Sequence, residues 1–387
     1  MNKKTVGIIT IHKSNFGGCL QSYALWAYIK SIGYKCEIID LYRPVMTEYK
    51  NETTSLSFST CIQNERIKNL KHFVKIIITF ITKKTKPQKG IYNFTNNDNF
   101  KSFNALIKYS QPYRSIDSLY QNPPDYDIYI SGSDQIWNPD MPFENEPYLL
   151  SFVPKKKKCI SYASSFGRNN LPEKFTKHYQ NCLKRYSSIS VREETGQFIV
   201  KKLIGKEPIV ALDPTMLFGK DYWQTISIHP KIKPKYLFCF SLKNDSELVN
   251  FASEICKKKG LALVIISDKI YTYKGVQIIN KPDSGPKEWL GLIENAELIV
   301  TDSFHGTVFS AIFEKTFLSY IKYDNSKTNS GTRIENLVSQ LSLEPYLIHN
   351  LNSINNTKLD IIDYSDVNEK IEILRDLSKD YLHNSLT

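Results

Sequence analysis

The sequence predicts an α/β protein built from two parallel-sheet, Rossmann-like domains, on three observations. Short apolar runs that read as buried strands alternate with segments of helical spacing, and such alternation builds a parallel sheet covered by helices. Several of those strands open directly into small polar residues, the turns at which parallel sheets bind ligands. The chain has 387 residues and is 41% hydrophobic, enough for two cores, since one domain commonly holds about 100–200 residues.

Residues 5–10 read as the first strand, Asn15, Phe16, Gly17 and Gly18 as a turn, and Leu20, Tyr23, Ala24, Ala27 and Tyr28 as one face of a helix. Residues 35–40 then close a βαβ unit. Two glycines at a strand-to-helix turn let backbone approach a ligand closely, which makes Asn15, Gly17, Gly18 and the nearby Gln21 candidate binding residues. The spacing is neither the dinucleotide fingerprint nor the phosphate loop, and a plain tight turn is the simpler alternative.

From about 46 to 124 the pattern loosens into an insertion rich in Asn, Lys, Ser and Thr. Within it Ile67, Leu70, Phe73, Val74, Ile77, Ile78 and Ile81 make an apolar helical face, followed by Lys83, Lys84, Lys86 and Lys89. Two readings compete for this stretch. It lies on an anionic membrane surface as an interfacial helix does, or it packs on the core with a solvated basic end.

Residues 127–130 form a strand that runs into Ser131, Gly132, Ser133, Asp134, Gln135, Ile136, Trp137 and Asn138. Small, polar and then aromatic residues suit a carbohydrate pocket, with Asp134 accepting from hydroxyls and Trp137 stacking on a sugar face. Asp125, Tyr126 and Asp127 have the DxD spacing of some metal-dependent glycosyltransferases, but Asp127 begins the strand, the wrong end for a site in a parallel sheet. Residues 159–163 make another strand ending in Ser164, Ser165, Phe166 and Gly167. A helix around 175–185 and a strand at 188–191 lead to Arg192. An arginine at a strand's carboxyl end can grip a phosphate or carboxylate in a planar fork; the bland alternative is a surface ion pair with Glu193 or Glu194.

Residues 208–212 with Asp213 and Pro214 mark the crossing into the second domain, where strands at 236–240, 262–266, 277–279, 298–301 and 316–320 alternate with helices. The lysines at 257–259 end a helix, where the dipole favours them. Residues 366–382 form a last amphipathic helix. The expected division is 1–207, carrying the 46–124 insertion, then 208–345, then a helical tail at 346–387.

The reactive centre is placed at 298–313, a buried strand joined to a helix through Thr301, Asp302 and Ser303. His305 falls at the helix mouth, where unpaired N–H groups and the dipole favour an anion and an imidazole can carry protons near neutral pH. Taken alone, a lone histidine more often caps or packs.

The balance of 51 Lys+Arg against 39 Asp+Glu gives +12, which suits phosphorylated substrates, acidic lipid headgroups or nucleic acid. Nucleic-acid binding should interleave basic residues with exposed aromatics on one face, whereas these lysines are scattered, so no nucleic-acid partner is expected. Cysteines at 19, 36, 61, 159, 182, 239 and 256 show no zinc-ligand spacing and read as reduced thiols of a cytoplasmic protein. No metal is expected. No apolar run reaches the roughly 18–20 residues of a spanning helix.

Six motifs in order suggest a family: NFGGCLQSYAL (15–25), SGSDQIWN (131–138), SYASSFG (161–167), SVREETG (190–196), LDPT (212–215) and VTDSFHGTVFSAIF (300–313). Together they resemble the polysaccharide pyruvyl transferase family from Val6 to about Leu343, outside the insertion. The resemblance implies a two-domain fold like that of the B-type glycosyltransferases, with the acceptor on the first domain and the donor on the second. It implies transfer of pyruvate from phosphoenolpyruvate, as co-substrate and without another cofactor, onto two sugar hydroxyls as a cyclic ketal in surface polysaccharide biosynthesis. In the family an arginine of the SVRE motif and a histidine of the last motif serve the donor; here these are Arg192 and His305. Many members carry an arginine two residues before that histidine, where this chain has Ser303, so that charge must come from elsewhere, with Lys243 and Arg333 as candidates.

The same residues fit the chemistry. Adding an alcohol to an enol phosphate requires protonating the methylene carbon, stabilising an oxocarbenium-like centre, deprotonating the hydroxyl and holding the departing phosphate. His305, Asp134 and Arg192 are the expected catalytic groups. Arg192, Ser303, His305 and the N–H groups of Gly306 and Thr307 are expected at the donor, and Asn15, Gly17, Gly18, Gln21, Asp134, Gln135 and Trp137 at the acceptor. A lipid-linked acceptor would bring the chain to the inner face of the cytoplasmic membrane through residues 67–89. The alternatives are a nucleotide-sugar glycosyltransferase on the same architecture and a non-catalytic basic binding protein.

Overall fold

The computed structural model describes residues 4–13, 15–42, 97–141, 143–322, 331–351 and 359–387. They form two Rossmann-like α/β lobes with parallel sheets, the architecture of the B-type glycosyltransferase fold. The apolar face at 67–81 and the lysines at 83–89 lie outside the described residues.

In the first lobe β1 (Thr5–Ile9), α1 (Phe16–Ser31) and β2 (Lys35–Ile38) make the expected βαβ unit. The residues expected as a turn differ. Phe16, Gly17 and Gly18 are the first turn of α1, because the Asn15 side chain caps the helix and accepts from Gly18 N at 2.8 Å. An asparagine cap satisfies one of the donors a helix start leaves unpaired, and so extends the helix upstream of its apolar face. The end of the expected insertion also differs. It holds α2 (Asp98–Asn104) and α3 (Ile116–Gln121), and α2 sends Phe100 and Phe103 into the core.

β3 (Ile128–Ser131) and β4 (Lys158–Ser161) complete a parallel sheet in the order β2-β1-β3-β4. Asp127 accepts from Thr5 N and Oγ1 at 2.7 and 2.8 Å, which fixes it at the amino end of that sheet. After α4 (Glu173–Leu183) come β5 (Ser190–Val191), α5 (Glu194–Ile204) and β6 (Ile209–Val210). The β5–β6 pair meets the edge of the sheet through bridges from Ile160 to Ser188 and from Ser164 to Val191.

The second lobe follows α6 (Lys220–Gln224) with β7 (Tyr236–Phe240), α7 (Ser246–Lys259), β8 (Ala262–Ile265), β9 (Ile278–Asn280), α8 (Pro286–Glu294), β10 (Leu298–Thr301), α9 (Phe304–Ile312), β11 (Phe317–Tyr320), α10 (Thr332–Gln340) and β12 (Leu347–Ile348). Its parallel sheet has the order β12-β11-β10-β7-β8-β9. β7 and β10 are buried along their whole length, as strands covered on both faces must be. Strand order reverses between β1 and β3 in one sheet and between β7 and β10 in the other. At such points adjacent loops diverge and leave a crevice at the carboxyl ends.

Two devices join the lobes. Phe16, at the start of α1, packs against Phe100, Phe240 and Trp289 with ring centroids 4.9, 5.4 and 5.6 Å away. Each such pair contributes about 0.5–1.5 kcal/mol beyond burial, so the first turn of α1 is anchored in the core of the second lobe. The last helix, α11 (Ser365–Leu386), returns to the first lobe, where Tyr381, Leu382 and Leu386 pack with Val6 and Ile8 of β1. Tyr381 OH donates to Ser161 O at 2.7 Å, and Ser378 Oγ accepts from Leu212 N at 3.0 Å. Among the described residues no helix is long and apolar enough to cross a membrane.

Candidate active site

The carboxyl ends of the two sheets meet, and charged side chains from both converge there. Arg192 follows β5 directly and is 4% exposed. Its Nη1 donates to Asp213 Oδ2 at 2.8 Å, its Nε donates to Glu193 Oε1 at 3.2 Å, and its Nη2 lies 3.6 Å from Asp134 Oδ1. The guanidinium also lies over the Phe304 ring, 4.4 Å from its centroid. Burial opposes the charge, but Glu193, Asp213 and Asp134 more than offset it and raise the pKa. The ion pair weighed as a surface feature is therefore buried; Glu193 is one of its partners, and Asp213, at the shortest distance, is another.

Asp213 lies just beyond β6, where it caps the short turn Pro214–Leu217 by accepting from Thr215 N at 3.1 Å and Oγ1 at 2.8 Å. Ser133 Oγ donates to its other oxygen at 3.3 Å. Burial alone would raise this carboxyl; the charges of His305 and Arg192 win and hold it well below the usual carboxylate range.

His305 enters from the other lobe as the second residue of α9. Its Nε2 is 3.6 Å from Asp213 Oδ2, an ion-pair separation too long for a hydrogen bond. That Nε2 and Arg192 Nη2 are both buried without a hydrogen-bond partner. Two unsatisfied nitrogens in one buried cluster are costly unless a ligand completes them. The other side of the ring faces α1: a Cβ built on Gly17 would stand 2.1 Å from His305 Nδ1.

Asp134 adopts a left-handed backbone, φ 72°, directly after Ser133. Burial raises its carboxyl, but Arg192, Arg333 and His305 lower it further, so it stays ionised. Arg333, from α10, reaches Asp134 Oδ1 with Nη1 at 3.5 Å and lies over Phe304 at 5.4 Å. With the Gln135 amide turned to present oxygen, Arg333 Nε and Nη2 donate to it at 3.2 and 2.6 Å. Burial and then the like charge of Arg192 lower Arg333 to about 10, which leaves it a cation at neutral pH. Of the two candidates for the displaced family arginine, Arg333 is thus at the site, while Lys243 is exposed on the loop after β7.

Other expectations are corrected by the packing. Gly306 N donates to the Ser303 side chain at 3.2 Å and Thr307 N donates to Ser303 O at 3.0 Å, so these groups close the first turn of α9 instead of facing a donor anion. Thr307 Oγ1 is engaged with Ser303 O and Ser319 Oγ. Trp137 is fully buried, its Nε1 donating to Ser131 Oγ at 3.0 Å and its ring packed edgewise on Phe166 and Tyr186; no face is left for a sugar. Gln21 is buried and spends its amide on Ile11 O and Thr10 Oγ1. Asn15 and Gly18 are occupied with each other in the cap, while Gly17 is the residue of that group that touches the site.

Sequence reasoning did not single out Asp213, Glu193 or Phe304 as site residues. The signal for Asp213 is its place in the LDPT motif, an acidic residue at a strand's carboxyl end followed two places on by a threonine, although the motif by itself assigns it no role. Asp302, beside the site, accepts from Leu242 N at 2.7 Å and Ser241 Oγ at 3.0 Å, and burial pushes its carboxyl up to about 6. Among the described residues no group of three His, Cys, Asp or Glu side chains could hold a metal ion.

A family model described as polysaccharide pyruvyl transferase matches residues 15–325. No curated protein matches the chain significantly. Among solved structures, the chain is similar to the UDP-GlcNAc 2-epimerase of Neisseria meningitidis bound to UDP-GlcNAc, at 9% identity over 99% of each chain with a TM-score of 0.50. It is also similar to the glycosyltransferase SnogD of Streptomyces nogalater, at 7% identity over 98% of this chain and 96% of that one, with a TM-score of 0.45. At 9% identity the likeness to the epimerase is one of fold alone.

Proposed function

We propose, since the chain belongs to the polysaccharide pyruvyl transferase family, that it moves pyruvate from phosphoenolpyruvate onto two hydroxyls of a sugar as a cyclic ketal, in the biosynthesis of a surface polysaccharide. That it is a transferase follows from the family. The observation that carries the finer reading is the convergence of His305 and Arg192, from opposite lobes, on Asp213, each with a buried nitrogen unsatisfied. Unsatisfied donors beside two guanidiniums suit an anionic substrate that completes them.

The chemistry balances in two additions. The first hydroxyl oxygen bonds to the central carbon of the enol phosphate while the methylene carbon gains a proton from His305, the acid, and the hydroxyl's own proton returns to the imidazole. Phosphate then leaves with the electron pair of its C–O bond, and Arg192 and Arg333 offset the charge it carries away. The second hydroxyl attacks the resulting oxocarbenium-like carbon and loses its proton to the departed phosphate, closing the ketal ring; Asp134 is ionised and suited to orient the hydroxyls. Inorganic phosphate is the other product.

The deciding experiment is incubation with phosphoenolpyruvate and galactose-, mannose- or glucose-ended acceptors, following phosphate release and acceptor mass. Phosphate release with the mass gain of a pyruvate ketal supports the reading. Transfer from a uridine or guanosine diphosphate sugar, with none from phosphoenolpyruvate, replaces it with the glycosyltransferase alternative. The reaction is assigned to the cytoplasm, at the inner membrane face where the acceptor is lipid-linked.

A further inference from the structure

The loop after β1 carries a second charged cluster that the pyruvyl-transfer reading does not use. His12 Nδ1 lies 3.0 Å from Thr10 O, and Nε2 lies 2.9 Å from Asp40 Oδ1. Burial would raise the Asp40 carboxyl, but the hydrogen bonds and charges of His12 and Lys13 keep it below its ordinary value, so it is ionised and can only accept. A carbonyl also only accepts. His12 thus lies between two acceptors, the Thr10 carbonyl and the Asp40 carboxylate. Lys13 Nζ donates to Asp40 Oδ2 at 2.8 Å and sits 4.0 Å above the Tyr109 ring. Lys13 and His12 thus both bond to the one carboxylate of Asp40 in a largely buried place.

Two further observations point to a missing acceptor. The Tyr109 hydroxyl is buried with no hydrogen-bond partner, and a buried hydroxyl left unsatisfied is costly. Lys13 itself holds a left-handed backbone, φ 52°, which a residue with a side chain adopts at a cost of roughly 1 kcal/mol or more and which clusters at ligand sites. The cluster is linked to the active site through its neighbours in the chain. Thr10 Oγ1 donates to Ser133 O at 2.9 Å, next to Asp134, and the loop ends in Asn15 and the α1 turn against which His305 rests.

We propose that Lys13, His12 and Tyr109 form an anion subsite for a phosphate or diphosphate carried by the sugar acceptor. This rests on the pyruvyl-transfer reading for the identity of the acceptor, but not for the binding itself. A diphosphate there would accept from the Tyr109 hydroxyl and from Lys13. A sugar beyond it would extend toward Asp134 and His305.

The test is titration of the whole protein with inorganic pyrophosphate, comparing wild type with Lys13→Ala, Tyr109→Phe and Arg192→Lys, each checked for an intact unfolding transition. Lys13→Ala should weaken binding about tenfold or more, as loss of a charge-assisted bond does. Tyr109→Phe, which keeps the ring and so the packing, should weaken it severalfold, and Arg192→Lys should leave it near wild type. Binding lost in Arg192→Lys but kept in Lys13→Ala would move the anion to the donor site and overturn the proposal, as would no binding by wild type. Competition then separates the sources: farnesyl diphosphate displacing pyrophosphate better than uridine diphosphate marks a lipid carrier, the reverse order a nucleotide carrier, and displacement by neither overturns the subsite. Pyrophosphate binding by this cluster in a protein that transfers no pyruvate would sink the pyruvyl-transfer reading and leave the subsite standing.

Discussion

The Cα of Gly17 and the imidazole of His305 touch across the two lobes so closely that a methyl group on Gly17 would stand 2.1 Å from Nδ1. Alanine is about 1 kcal/mol better than glycine inside a helix, so Gly17→Ala should help α1 in isolation. In the protein it should push the imidazole off Asp213. Turnover is expected to fall toward that of His305→Ala, itself roughly 10²- to 10⁴-fold down as for loss of a general acid, with the far-UV dichroism unchanged. Wild-type turnover in the folded Gly17→Ala protein would mean that the position of the ring does not matter.

Arg192 is the counter-charge for Asp213, Glu193 and Asp134. Arg192→Met should destabilise the protein by about 3–5 kcal/mol, because it leaves buried carboxylates unpaired. Arg192→Lys should recover much of that stability yet not activity, since a point ammonium cannot hold Asp213, Glu193 and a substrate anion at once. Donor saturation kinetics decide the second half. An unchanged apparent affinity for phosphoenolpyruvate in Arg192→Lys would take the residue out of the donor site.

Asp302 has a carboxyl raised to about 6 by burial, against an ordinary value near 3.8. Between those values the unfolded chain is ionised while the folded one keeps its proton, so the contribution of Asp302 to stability is present below about pH 4 and is lost as pH rises through about 6. Asp302→Asn should remove that decline, on the order of 2 kcal/mol. Thermal midpoints of both proteins from pH 4 to 7 give the comparison, and parallel curves would refute the assignment.

Trp137 is a core residue whose Nε1 donates to Ser131. Trp137→Phe should therefore cost about 1–3 kcal/mol from the lost hydrogen bond and volume, while the acceptor KM stays close to wild type. A large rise in acceptor KM with little change in stability would restore the sugar-stacking role.

Residues 67–89 carry the proposed membrane contact. Wild type should sediment with vesicles rich in anionic lipid at low salt, and Lys83, Lys84, Lys86→Glu should not, since each lysine contributes about 1 kcal/mol near such a surface. Equal sedimentation of both proteins, or none by either, would return the segment to a core-packed helix.

The parts of the fold written in local pattern were legible. β10 and α9 were placed because Leu298, Ile299 and Val300 give way to Ser303, a cap residue, and then to small and apolar residues. The start of α1 was read as a turn because Gly17 and Gly18 look like breakers, and only the long-range presence of His305 explains why glycine stands there. Trp137 was misplaced for a related reason: a tryptophan after a polar turn has the same local sequence whether it faces a cleft or the core. The pairing of Arg192 with Asp213 joins residues 21 apart in sequence and that of Arg333 with Asp134 residues 199 apart, separations at which no periodicity carries information.

The return of α11 to the first sheet has a consequence for biosynthesis. Lys4 Nζ donates to Thr387 O at 2.9 Å, a contact across 383 positions of sequence, and the apolar side chains at 381, 382 and 386 cover β1. On the ribosome the first strand emerges long before its cover exists, and contacts this distant are the slowest to form. Until α11 docks, the side of the first sheet that it covers exposes apolar surface of the kind that chaperones recognise and aggregation exploits.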